Sequence, residues 1–140
     1  MPKSAATGSM LKVGIVQNTA TPDLQASIAA AMAMVREAAA AGAELIALPE
    51  FFCGFWSEAG RLSIHSHTEE RHPAIIAGRE EARRARRMIL LGSVGVDLGD
   101  GRLCNRSVVI DRDGAIIARY DKVHLFDVDL GPGKVYRESD

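Results

Sequence analysis

Two cysteines in 140 residues are too few for a disulfide framework, and Cys53 and Cys104 do not fall in a zinc-binding spacing. Nothing in them points to an oxidising compartment. The opening residues MPKSAATGSM lack the apolar core of a secretory signal. No stretch approaches the ~18 apolar residues of a membrane span. The cytoplasm is the expected location, with no membrane partner. A net charge of −1 lacks the basic excess that marks a nucleic-acid binder. The glycines form neither a GxGxxG nor a Walker A loop, so no dinucleotide or nucleotide cofactor is expected. Internal repeats, low-complexity tracts and linkers are also missing.

What remains is an ordinary globular composition, 47% hydrophobic and 25% charged. Residues 1–10 read as a flexible tail and 11–140 as one domain. Leu11 to Gln17 (LKVGIVQ) is a short, partly β-branched run expected to be a strand. Asn18 to Asp23 reads as a turn, with Thr21 as helix N-cap and Pro22 at the first helical position. Leu24, Ile28, Met32, Val35 and Ala39 then share one helical face, and Gly42 is the expected stop. Glu44 to Leu48 (ELIAL) is a second strand, closed by Pro49-Glu50. Strand, helix and strand within about forty residues predict a parallel, right-handed unit.

From Phe51 to Ala74 the periodicity fails, which predicts a long loop carrying aromatics and three histidines. Pro73 to Arg87 is a second helix, with Glu80 placed to pair with Arg84. Met88 to Val96 is apolar enough to be a central strand. Leu103 to Ile110 and Ala115 to Tyr120 form a hairpin about the turn Asp111 to Gly114. This order predicts a layered α/β domain.

Glu50 follows an apolar strand and a proline, and reactive groups collect at such carboxyl ends in α/β sheets. From position alone, a solvated loop acid is the simpler account. Lys122 holds the matching place at the end of the hairpin strand, where a lysine is ordinarily a surface residue. Beside a glutamate it would stabilise a developing oxyanion and keep that glutamate ionised. His65, His67, His72 and Cys53 match no defensible metal spacing and read as exposed polar residues; no metal is expected. The run RRARR, from Arg83 to Arg87, reads as a solvated helix face.

VGIVQ, LIALPEFF, RHPAI, GRLCNRSVVIDRDGAIIARYDK, RYDKVHLFDVDL and GKVYRES, in this order, resemble the nitrilase superfamily of carbon–nitrogen hydrolases. The resemblance is to its amidase branch, of the deaminated-glutathione amidase and omega-amidase type. It runs from about Leu11 to Asp140. It implies the N-terminal half of a four-layer α-β-β-α sandwich. It also implies cofactor-free cleavage of a small-molecule amide by a Glu-Lys-Cys set. By resemblance Glu50 is the general base, Lys122 steadies the tetrahedral intermediate, and Glu138 positions the lysine and nucleophile. The family's cysteine lies some tens of residues beyond the lysine, and this chain has none there. Neither Cys53, on the Glu50 loop, nor Cys104, inside a strand, is expected to replace it. The resemblance therefore implies a partial domain, inactive alone. Its expected partners are copies of itself in a homo-oligomer or a missing C-terminal half.

Overall fold

The computed structural model describes residues 10–58, 61–129, 131, 135–136 and 138. Nearly all of the expected tail, residues 1–9, lies outside the described residues.

Strand β1 (Val13–Ile15) pairs parallel with β2 (Leu45–Ala47), which pairs parallel with β6 (Met88–Asp97). Beyond β6 the sheet turns antiparallel through β7 (Leu103–Ile110) and β8 (Ile116–Asp121). The β7–β8 turn is closed by Asp111, whose Oδ1 accepts the N–H of Asp113 and of Ala115. The Phe51–Ala74 segment is more ordered than its periodicity predicts. It holds the hairpin β3 (Phe55–Glu58) and β4 (Arg61–Ile64), strand β5 (Ser66–His67) and a 3-10 turn over Glu69–Arg71. Each piece is too short to show a period. A small pair, β9 (Val128–Asp129) with β10 (Val135–Tyr136), lies outside the main sheet.

Helix α1 (Leu24–Ala40) is capped by Asp23, not Thr21: the Asp23 carboxylate accepts the Ala26 N–H at 3.0 Å. Thr21 is engaged instead by the buried Ser27 hydroxyl, which accepts its N–H at 2.8 Å. Gly42, with φ +88°, ends the helix as expected, because only glycine enters that region without strain. Helix α2 (Pro73–Ala85) stops two residues early, at Arg86 in the left-handed region. Its expected Glu80–Arg84 pair is replaced by Glu81, which faces α1 and meets both Arg84 and Arg36. No helix among the described residues is long and apolar enough to cross a membrane.

Both helices lie on one sheet face. Ile46, Leu48, Ile89, Leu91, Val108 and Ile110 from the strands meet Ile28, Met32, Val35 and Ile75 from the helices, all buried. Each such side chain contributes roughly 1.5–3 kcal/mol by leaving water. The register places the row Ile15, Ala47, Leu90, Val109 and Ala118 on the opposite face. That face has no layer over it among the described residues. Ile15 is 82% exposed and Val13 47%. The architecture is one helix layer on one sheet, two layers of a four-layer α-β-β-α sandwich.

Candidate active site

An irregularity in β6 builds the first part of the site. The strand carries one extra residue between Leu91 and Val94, so Gly92 and Ser93 bulge. Here β2 has ended, and Leu48 makes its last bond to the sheet, its N–H donating to the Leu90 carbonyl at 2.9 Å. The chain then crosses over Gly92. A Cβ there would lie 2.1 Å from the Leu48 carbonyl oxygen and 2.5 Å from Pro49. Phe51 turns with φ +47°, a conformation strained for a bulky residue. Its N–H donates to the buried Ser93 hydroxyl at 3.1 Å, and the Asn18 side chain donates to the Phe52 carbonyl at 2.9 Å. Glu50 is thereby held at the carboxyl end of β2 by a pinned, strained turn.

The second part comes from the hairpin. Lys122 follows β8, and its backbone N–H donates to the Asn105 carbonyl of β7 at 2.9 Å. Its Nζ donates to Glu50 Oε1 at 2.9 Å and to Glu138 Oε2 at 2.8 Å. Glu50, Lys122 and Glu138 are thus in direct contact, although 72 and 16 residues separate the pairs. The side chain of Glu138 is only 7% exposed, whereas that of Glu50 is 55% exposed. Glu138 Oε2 also accepts the Phe126 N–H at 2.6 Å.

Sequence reasoning missed Asn105. Its Nδ2 donates to Glu50 Oε1 and to Glu138 Oε1, each at 2.7 Å. The available signal was a lone amide in the apolar strand LCNRSVVI, which no local rule distinguishes from a structural one. The bulge had a better signal, since a glycine inside a strand marks a close backbone approach.

Burial alone would raise the Glu138 carboxyl. The hydrogen bonds from Lys122, Asn105 and Phe126 outweigh it and hold Glu138 below the usual range. Burial likewise opposes the charge on Lys122, and its two glutamates overcome that and raise it. Both shifts favour the ion pair of Lys122 with Glu138.

The cysteines are differently placed. Cys53 is buried in the turn that follows Glu50, and desolvation pushes its thiol up to about 11. Cys104, half-buried in β7, is raised too, by burial first, against the opposing pull of Arg106. Neither is primed as a thiolate. The histidines differ from expectation. His72 is fully buried, and its Nδ1 caps α2 by accepting the Ala74 N–H at 3.2 Å. His65 bonds the Pro22 carbonyl at 2.7 Å, and His67 packs edge-on to His72. Capping and ring packing give these rings structural work that composition did not show.

Against known proteins, the carbon–nitrogen hydrolase family model matches residues 12–139. This chain belongs to the carbon–nitrogen hydrolase family. It is 32% identical over 141 residues to the chloroplastic omega-amidase of Arabidopsis thaliana, covering 96% of this chain and 37% of that protein. It is 33% identical over 131 residues to a deaminated glutathione amidase of Synechocystis, covering 89% and 46%. Among solved structures, the Nesterenkonia amidase superposes with a TM-score of 0.68 at 22% identity, over 91% of this chain and 46% of that one. The Caenorhabditis elegans NitFhit protein superposes at 0.67 with 27% identity, over 93% and 33%. This carbon–nitrogen hydrolase chain spans less than half the length of these relatives.

Proposed function

We propose that the chain supplies the base and oxyanion-stabilising part of an amidase centre. The reaction is hydrolysis of a small linear amide to a carboxylic acid and ammonia. The supporting observation is the Glu50–Lys122–Glu138 contact, in which the Glu138 side chain is buried and accepts three hydrogen bonds while Glu50 stays accessible. A cysteine thiol from outside these 140 residues attacks the amide carbonyl while Glu50 takes its proton. Lys122 stabilises the oxyanion by its fixed charge. Glu50 returns the proton to the departing ammonia, then takes one from the water that cleaves the thioester. Glu138 keeps Lys122 charged and in place. The amidases among the relatives support this substrate class. The test is ammonia release from short aliphatic amides by this chain joined to the further length its relatives possess. Glu50→Gln is expected to lower turnover by about 10²–10⁴. Turnover indifferent to Glu50→Gln would sink the reading.

The sheet face left uncovered among the described residues, with Ile15 82% exposed, favours a second reading, a non-catalytic half domain seated on a partner or a homologous subunit. It predicts self-association or co-purification with a longer family member, weakened by Ile15→Lys. A purified chain that sediments as a monomer, with or without Ile15→Lys, and recovers no such partner would exclude it.

A further inference from the structure

Charge alone would hold Lys122 between the two glutamates. An ammonium is a compact charge with rotatable donors, so it lets a carboxylate turn and offer either oxygen, or both. Something else fixes Glu50, and the geometry identifies it. Asn105 is 5% exposed and anchored in β7, where its own carbonyl accepts the Lys122 backbone N–H. Its side-chain nitrogen carries two protons, and a glutamate oxygen accepts at 2.7 Å in each direction. The reverse orientation would press the amide oxygen against two carboxylate oxygens. Asn105 Oδ1 is buried with no hydrogen-bond partner among the described residues. An unpaired buried acceptor is destabilising, so a clamp on the glutamates is being kept at the expense of local stability.

The consequence falls on Glu50. Oε1 accepts from both Asn105 and Lys122, while Oε2 accepts no hydrogen bond from the described residues. We propose that Asn105 is a positioning residue: one amide group clamps an oxygen of each glutamate and leaves Glu50 a single free oxygen, Oε2, for proton transfer. The assignment rests on Glu50 being the base. It makes the two glutamates unequal by geometry, one locked and one half free.

The test reads the amide itself. In the 140-residue chain, both Nδ2 protons of Asn105 should exchange slowly with water. Both should shift with pH together with the Glu138 carboxyl. In Asn105→Ala the Glu138 midpoint should rise toward the ordinary glutamate range, with Asn105→Ser, which keeps one donor, in between. In the completed amidase, Asn105→Ala should lower kcat about a hundredfold with KM nearly unchanged, as for a misplaced reacting group. A freely exchanging Nδ2 proton that ignores pH overturns the clamp, and that wild-type measurement stands even if Asn105→Ala fails to fold. A Glu138 midpoint unmoved in Asn105→Ala overturns it as well. Intact amide signatures beside turnover indifferent to Glu50→Gln would instead overturn the base assignment.

Discussion

Replacing Lys122 with methionine keeps the stem and removes the charge. The loss can be worked from the two contacts. The Glu138 side chain is 7% exposed but that of Lys122 is 28% exposed, so the pair is part-buried and sits at the low end of the about 3–5 kcal/mol for stripping one partner from a buried pair. Asn105 and the Phe126 N–H stay on Glu138, which places this contact near about 3 kcal/mol. Glu50 is 55% exposed, so its contact adds about 0–1 kcal/mol. The total, about 3–4 kcal/mol at pH 7, divided by a urea slope of about 2 kcal/mol/M, gives a midpoint about 1.5–2 M lower. The sign with pH follows from the lowered Glu138 carboxyl. Its contribution is present above the ordinary glutamate range and is lost as pH falls through its depressed folded value. The deficit of Lys122→Met should therefore be largest near neutrality and shrink toward pH 4. Urea unfolding of both proteins at pH 7 and pH 4 measures it. An equal deficit at both pH values, or one under about 0.5 kcal/mol at pH 7, within the range of ordinary surface substitutions, refutes the reasoning.

His72, buried and neutral, titrates near 4, with burial as the main cause and His67 and His65 next. Unfolding frees it to take a proton below its ordinary 6.5, so stability should fall between pH 6.5 and 4, by up to about 3 kcal/mol. His72→Asn keeps a capping acceptor and should flatten that acid limb in thermal melts followed from pH 7 to 4.5; an unchanged limb assigns the loss elsewhere. Gly92→Ala drives a Cβ into the Leu48 and Pro49 backbone and should destabilise by about 3 kcal/mol, as for overpacking of a rigid site. A melting temperature within a degree of wild type would show that the bulge does not seat the Glu50 turn.

Much of the architecture was legible locally. The 3.6-residue spacing of Leu24, Ile28, Met32 and Val35, the glycine after α1, and the hairpin about Asp111 depend on neighbours in the chain, and these appear where expected. Three of the misses share one cause, a partner brought in from elsewhere in the fold. Asp23 displaced Thr21 as cap because Ser27 claimed Thr21, and Glu81 displaced Glu80 because α1 brought Arg36 alongside. His72 looked like an exposed loop residue, yet ring packing and the α2 cap bury it.

The sequence by itself determined the two helices and the main-sheet strands β1, β2, β6, β7 and β8, because periodicity and turn chemistry are written along the chain; position after a strand marked Glu50 and Lys122, and family resemblance alone marked Glu138. Only the tertiary structure decided that these three touch and that Asn105 joins them. Those facts depend on a bulge between two glycine-adjacent residues and on pairings across as many as 72 positions. A hydrogen bond between distant residues has no local signature, since its energy exists only once the sheet has brought both partners out of water together.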